Sequence, residues 1–267
     1  MKKLLFILLC FDIGSAAIAQ KKYRTLEGAL MNPDDATELI LSGSQDYKTL
    51  PPEMAKLTKL KVLKMYGCGI QKLSPVIGEL KNLEVLELGS NYLKSLPPEI
   101  CKLTKLRELS IMRNELTELP ADFGNMASLV QVDLSNNKLV SLPSSFYLLN
   151  NLLVLNLQFN ELTSISPEIV RLSKLESLDI SRNNLAEIPE KIWFTPNLFY
   201  LNMYKCGAML TIPQDICSIS SSSVKPRIAY IDTYHVPSSI VMPKCSFAPD
   251  GVRYGWYFNF NDKCSNA

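Results

Sequence analysis

The sequence predicts an α/β solenoid, in which short strands of successive coils form one parallel β-sheet on a concave face and caps close both ends. Leucine occurs 42 times among the 267 residues, yet none follows Leu210. Apolar residues also recur at an interval of 23 residues through about two thirds of the chain. The segment after the last leucine is instead rich in serine, aromatic residues and cysteine. Together these observations indicate one stack of repeats that is closed by a differently built end.

Composition excludes several classes of function. The formal net charge is +2, so electrostatics give no reason to expect a nucleic acid or an anionic membrane as partner. His235 is the single histidine, which excludes histidine-rich metal sites and leaves one candidate for imidazole base catalysis. The apolar fraction of 47% is sufficient for a large core.

Residues 1–19 have the layout of a secretory signal peptide. Lys2 and Lys3 precede an apolar run over residues 4–11, and small residues lead to an A-x-A site that ends at Ala19. We therefore expect cleavage near Ala19 and a secreted protein, in the periplasm or outside the cell, without a transmembrane segment. The alternative is a lipoprotein acylated at Cys10, which is disfavoured because the bulky Leu9 precedes that cysteine.

The repeat is visible as columns of residues 23 positions apart. Each unit has a leucine, a second apolar residue three positions later and a third two positions after that, which gives the period of two of a short strand. An asparagine or cysteine follows three positions on, and a Leu-Pro step or a variant of it closes the unit. We expect the asparagines to satisfy buried backbone groups where each coil leaves its strand, since an amide offers two donors and an acceptor. The first leucine column is Leu60, Leu83, Leu106, Leu129, Leu152, Leu175 and Leu198, and the asparagines are Asn91, Asn114, Asn137, Asn160 and Asn183.

These columns carry a family resemblance. The run LVQVDLSNNKLVSLPSSF from Leu129 to Phe146 resembles the leucine-rich repeat pattern LxxLxLxxNxLxxLPxxI. The 23-residue length and the Leu-Pro step resemble the class found in Ras-binding scaffold-type proteins and in exported bacterial repeat proteins. The resemblance implies a horseshoe with a parallel sheet on the concave face, short 3₁₀ or irregular convex segments, and a function in protein binding. It divides the chain into a signal peptide (1–19), an N-terminal cap (20–38), about eight leucine-rich repeats (39–216) and a C-terminal cap (217–267).

The two caps differ in their composition. At the N-terminal end, Thr25 can cap a short helix that ends before Pro33. At the C-terminal end, apolar residues alternate with other residues from Val252 to Phe260, which predicts a one-sided aromatic strand. We favour a strand that covers the last repeat. The alternative is an exposed aromatic platform that binds a ligand.

Six cysteines remain after removal of the signal peptide, and six cysteines allow 15 complete pairings. Cys245 and Cys264 flank the aromatic strand, and a disulfide between them would close a loop of about 20 residues. We predict this disulfide, with Cys206 and Cys217 as alternative partners because they lie in the last repeat beside the cap. Cys68 lies far along the stack from Cys206, so these two should not pair.

The sequence contains no motif for catalysis, for a metal ion or for a cofactor. No G-x-S-x-G element accompanies His235, and neither a C-x-x-C pair nor an H-E-x-x-H run occurs. Acidic residues lie throughout the strands, so a carboxylate pair that cleaves glycosides is not excluded by sequence. We read them instead as a solvated concave face.

The concave face is the remaining candidate for function. Most side chains between the buried strand positions are polar, as a solvated face requires, but several apolar and aromatic residues and two arginines interrupt them. Aromatic residues and arginine are the types enriched in interface anchors, although shielding by cross-strand neighbours would also explain apolar residues there. The predicted binding residues are Met112, Arg113, Val154, Asn156, Gln158, Phe159, Arg182, Tyr200, Asn202 and Tyr204.

We therefore expect an exported, non-enzymatic module that binds a protein or a peptide on its concave face, with no cofactor. The first alternative is a structural or adhesive component of the cell surface, which self-association would favour. The second is a small hydrolase, which would need His235 or a pair of concave carboxylates. No residue pattern identifies the partner.

Overall fold

The computed structural model describes residues 21–43 and 47–207, together with the backbone of two further strands at 227–231 and 256–260. These residues form β-strands, one short α-helix and a series of 3₁₀ helices. The helix α1 spans Leu26–Met31. The strands are β1 (Lys21–Tyr23), β2 (Ala36–Ser42), β3 (Val62–Tyr66), β4 (Val85–Glu87), β5 (Glu108–Ser110), β6 (Gln131–Asp133), β7 (Val154–Asn156), β8 (Ser177–Asp179), β9 (Tyr200–Asn202), β10 (Arg227–Ile231) and β11 (Trp256–Phe260).

All the strands lie in one sheet, in the order of the chain, and each pairs in parallel with its neighbours. The register follows the repeat, so that Leu86 lies between Leu63 and Leu109, and every pairing from β3 to β9 joins residues 23 apart. One coil of chain therefore advances the sheet by one strand, as the period predicted. The sequence-based prediction of a parallel-sheet solenoid is confirmed.

Short 3₁₀ helices return the chain on the opposite side of the sheet. Proline occupies the first position of four of them, where its missing N–H removes no hydrogen bond and its fixed φ suits the turn. Two of these helices are capped by serine, since Ser74 Oγ accepts from Val76 N and Ser166 Oγ accepts from Glu168 N. The 3₁₀ helices are Pro52–Lys56, Pro75–Glu79, Pro98–Lys102, Phe123–Asn125, Ser144–Leu148, Pro167–Arg171 and Glu190–Phe194.

The core lies between the sheet and the 3₁₀ helices and consists of stacked columns of identical positions. Leu63, Leu86 and Leu178 are completely buried, and the corresponding residues of the other coils are at most 1% exposed. Each such leucine contributes about 1.5–3 kcal/mol relative to an exposed one. On the 3₁₀ side of the core, Phe123 stacks on Phe146 with ring centroids 5.4 Å apart. The leucine bias of the composition is thus the repeated filling of one layer.

The N-terminal end contains a strand that the sequence did not reveal. Strand β1 pairs with β2 in parallel before the chain enters α1, whose N-cap Thr25 accepts a hydrogen bond from Gly28 N at 3.2 Å. Lys21 forms an ion pair with Asp35, and Lys22 forms one with Glu38. A strand of three residues with lysines on it also protects an exposed sheet edge against pairing with another chain.

Two strands continue the sheet at the other end. Strand β10 pairs with β9, and β11 pairs with β10 in register from Arg227–Trp256 to Ile231–Phe260. Sequence analysis placed an aromatic strand at residues 252–260. The structure has β11 within this range, and among the described residues it is the outermost parallel strand at this edge of the sheet.

Exposed side chains also join neighbouring coils just before some of the strands. Asn82, Asn151 and Asn197 each donate from Nδ2 to a backbone carbonyl of the preceding coil, at 2.6–2.9 Å. Lys105 and Lys174 in the following coils donate to the amide oxygens of Asn82 and Asn151, both at 2.7 Å. These residues are exposed, so these bonds link the coils without burying polar groups.

Candidate functional site

The buried asparagine column fixes the backbone at the carboxyl ends of the strands. Asn137 is representative: its Nδ2 donates to Ile111 O at 2.9 Å and to Leu134 O at 3.0 Å, while its Oδ1 accepts from Leu116 N at 3.0 Å. Asn91, Asn114, Asn160 and Asn183 make the same set of bonds in their own coils. Each amide therefore ties its own coil to the one before it.

Cysteine replaces asparagine at the first of these positions. The Cys68 thiol donates to Leu41 O at 3.4 Å, a carbonyl of the preceding coil, much as the Asn91 amide donates to Met65 O at 2.8 Å. Burial is the main cause that raises the pKa of the Cys68 thiol, so the thiol is held as a neutral donor. A small side chain with one donor is sufficient at the end of the stack.

The residue before each of these five asparagines, and the equivalent residue before Cys206, has a left-handed backbone. The φ angles there lie between 53° and 56°, a region that glycine tolerates and bulky residues rarely adopt. Hydrogen bonds between coils hold this conformation from Ser90 to Arg182, since the backbone N–H of each of these five residues donates to the next coil, as Arg182 N does to Tyr204 O at 2.8 Å. We call these six residues the rim column: Ser90, Arg113, Asn136, Phe159, Arg182 and Lys205.

The rim column projects from the carboxyl-end border of the concave face, the open side of the sheet. Sequence analysis assigned Arg113, Phe159 and Arg182 to this face without recognising their backbone conformation. Gly67 and Asn136, at equivalent positions, were the available signal, because both residue types favour positive φ.

One cluster of predicted residues assembles near the C-terminal end of the concave face. The guanidinium carbon of Arg182 lies 4.6 Å from the ring centroid of Phe159 and 5.6 Å from that of Tyr204. The ammonium of Lys205 lies 5.3 Å from the same tyrosine ring. Phe159 is 42% exposed, while Tyr204 is half-buried beside it. The cluster presents an aromatic surface with an arginine fixed within it.

A second cluster lies four coils earlier, from β3 to β5, and includes residues that sequence analysis missed. Tyr66 lies across Gly89, where an added Cβ would come within 3.1 Å of the tyrosine ring and 3.2 Å of Met112 Cγ. A hydrogen bond with Ser90 is the largest cause that lowers the pKa of Tyr66, and Arg113 lowers it further. The glycine therefore lets Tyr66 and Met112 meet and lets the phenol reach Arg113. Tyr66 is 45% exposed, so the cluster presents an aromatic ring beside an arginine, as the first one does.

Two of the remaining predicted residues, Asn156 and Asn202, form turns at the ends of their strands. Asn156 Oδ1 accepts from Gln158 N at 3.1 Å, and Asn202 Oδ1 accepts from Tyr204 N at 3.2 Å. Asp133 and Asp179 accept in the same way from the residues two positions on. This column of Asx turns guides each strand into its rim residue. Val154 and Tyr200 flank Ser177 on the neighbouring strands, and both are half-buried.

Cys101 is buried, and burial raises the pKa of its thiol to about 11. The predicted Cys245–Cys264 disulfide, Cys217 and His235 lie outside the described residues. Within the described part of the chain, no disulfide occurs and no group of three His, Cys, Asp or Glu side chains could hold a metal ion. None of the described helices has the length and apolar character needed to cross a membrane.

Comparison with known families follows the same boundaries as the coils. A model described as "Leucine-rich repeat region" matches residues 39–129, and a second described as "Leucine rich repeat" matches residues 132–185 and 150–206. The chain belongs to the leucine-rich repeat family. No curated protein matches its sequence. The first described strand of the matched region is β2, and the last is β9.

Solved leucine-rich repeat structures share the fold. A leucine-rich repeat protein of Leptospira interrogans is 26% identical, with a TM-score of 0.62 over 80% of this chain and 72% of that one. The leucine-rich repeat domain of the type III effector XopL is 27% identical, with a TM-score of 0.63 over 76% and 79%. The ectodomain of the plant receptor kinase GASSHO1/SCHENGEN3 from Arabidopsis thaliana, solved in complex with Casparian strip integrity factor 2, is 27% identical, with a TM-score of 0.63 over 84% and 27%.

Proposed function

We propose that this chain is an exported, non-enzymatic module that binds a protein or a peptide on its concave face. The family supports binding in general, since leucine-rich repeat domains commonly bind proteins. The observation that carries the proposal is the cluster of Phe159, Arg182 and Tyr204, in which an exposed ring and a fixed guanidinium lie together on a largely polar surface. Such residue types anchor protein interfaces, where a few of them dominate the affinity.

The test is crosslinking of the mature protein in its native compartment, with two matched double variants. Phe159→Asp with Tyr204→Asp changes the concave face, and Leu148→Asp with Phe194→Asp makes the same change at exposed residues of the 3₁₀ side. We expect the concave variant to lose the crosslinked partner and the 3₁₀ variant to keep it, with unchanged circular dichroism for both. Equal capture by a folded concave variant would contradict the proposal.

Export is a separate part of the proposal and rests on the layout of residues 1–19. We expect the mature protein to begin at Gln20, after Ala19, in the periplasm or at the outside of the cell. Mass determination of the secreted protein's N-terminus tests this. An intact Met1 in the exported protein, or acylation of Cys10, would contradict it. Peptide mapping under non-reducing conditions tests the Cys245–Cys264 disulfide, which free thiols at both positions would exclude.

The alternative of an adhesive surface component predicts self-association. Sedimentation of the purified mature protein separates the two, because a binding module should stay at one mass over a wide range of concentration. The hydrolase alternative would require an activity that is lost on changing His235 or a pair of concave carboxylates.

A further inference from the structure

The rim column is positively charged. Arg113, Arg182 and Lys205 carry three positive charges, and the other three members are neutral. By contrast, Lys64 on the concave face forms an ion pair with Glu87 at 2.8 Å. Within the described part of the chain, neither rim arginine forms an ion pair. Both rim arginines can therefore pair with a carboxylate of a ligand.

The two arginines contact aromatic residues in different ways. The Arg182 guanidinium lies between the rings of Phe159 and Tyr204, whereas Arg113 interacts with the hydroxyl of Tyr66. A guanidinium that stacks on a ring uses its flat face, so the N–H donors along its edge stay available in the plane. Those edge donors match the two oxygens of a carboxylate, which is the geometry of a bidentate pair. Fixing the side chain beforehand also lowers the entropy lost on binding.

The spacing of the two arginines defines the ligand further. Three strand intervals separate them, or about 14 Å at the usual strand spacing of about 4.8 Å. An extended peptide advances by about 3.3 Å per residue, so four residues cover nearly the same distance. Asn136 and Phe159 lie between the arginines in the column, and a peptide side chain midway would contact the exposed ring.

We propose that the rim column binds an extended acidic segment of a protein, which runs across the strands with two carboxylates about four residues apart and an apolar residue between them. Arg113 binds one carboxylate, and Arg182 with Lys205 binds the other. Phe159 contacts the apolar residue. This inference rests on the proposed function and adds the chemistry of the partner to it.

The test uses an array of synthetic nine-residue peptides of the form Asp-Thr-Phe-Thr-Asp between glycine and serine flanks. The spacing between the two aspartates varies from two to six residues, and each peptide has a matched asparagine version. We expect binding of the mature protein to be strongest at a spacing of four and to fall at least tenfold in the asparagine versions. Arg182→Gln and Arg113→Gln should each weaken binding of the best peptide at least tenfold.

Arg107→Gln is the matched control, because Arg107 is exposed at the opposite end of strand β5 and its loss changes the net charge equally. It should weaken binding less than twofold. An absence of binding, the lack of a spacing preference, or an equal effect of Arg107→Gln would each overturn the proposal. If the array fails while the Phe159→Asp and Tyr204→Asp double variant still loses its native partner, only the acidic chemistry is wrong and concave-face binding stands.

Discussion

The buried asparagine column makes the strongest prediction about stability. Asn137→Ala removes the side-chain amide, so that Leu116 N loses its acceptor and Ile111 O and Leu134 O lose a donor. A buried N–H left without an acceptor costs about 1–3 kcal/mol, and the lost side-chain bonds add about 1 kcal/mol. We expect the free energy of unfolding to fall by about 3 kcal/mol.

The matched control removes the same atoms from an exposed site. Asn151 donates to Ala127 O at 2.9 Å and accepts from Lys174 at 2.7 Å, but water can replace both partners. Asn151→Ala should therefore cost less than about 1 kcal/mol. The contrast between the two variants separates a buried hydrogen-bond set from the deletion of an amide as such.

Urea unfolding followed by circular dichroism measures both variants. With a slope of about 2–3 kcal/mol/M, the Asn137→Ala midpoint should fall by about 1 M while the slope stays unchanged. Hydrogen exchange at the Leu116 amide should accelerate in the same variant, because its acceptor has gone. Equal midpoints for Asn137→Ala and Asn151→Ala would refute the reasoning.

Three further predictions concern packing, thiol chemistry and the second cluster on the concave face, that of Tyr66 and Arg113. Gly124→Ala places a Cβ 2.0 Å from Ser145 O, so the two neighbouring 3₁₀ helices must move apart. Thermal unfolding should show that the free energy of unfolding falls by at least about 2 kcal/mol. An unchanged midpoint would contradict this. With the pKa of its thiol raised to about 11, native Cys101 should be about one part thiolate per thousand at pH 8. Its alkylation by iodoacetamide should therefore be slow and should accelerate as the pH rises towards 11. Peptide mapping measures this rate, and a native rate as fast as that in urea would exclude the prediction. Because Arg113 helps to lower the pKa of Tyr66, Arg113→Met should raise that pKa in an NMR titration of ring-labelled tyrosine. An unchanged pKa would contradict the contact between the two side chains.

The repeat made most of the fold predictable. One residue type at one spacing, as in Leu63, Leu86 and Leu109, determines both the strand register and the buried layer, because every coil must satisfy the same backbone geometry. Strand β1 was missed because a three-residue strand with two lysines has no apolar pattern. The strand forms by pairing with β2, and nothing in the sequence of residues 21–23 themselves signals that pairing.

The candidate site was predictable in position but not in conformation. The columns placed Phe159, Arg182 and Tyr204 on one face, since residues 23 apart lie on adjacent strands. The contact of the guanidinium with both rings and the left-handed backbone of Phe159 and Arg182 were evident only from the structure. Tyr66, Gly89 and Met112 are likewise 23 residues apart, so their adjacency followed from the repeat, but only the structure shows that a Cβ at position 89 would meet both neighbouring side chains.

The most direct test of concave-face binding is photo-crosslinking from a single residue in the living cell. Phe159 is replaced by p-benzoylphenylalanine, which keeps an aromatic ring beside Arg182, and Phe194 on the 3₁₀ side is replaced in a second strain as the reference. We predict light-dependent adducts of one defined mass from residue 159 and none of that mass from residue 194. Adducts that form equally from both residues, or only from residue 194, would contradict binding on the concave face.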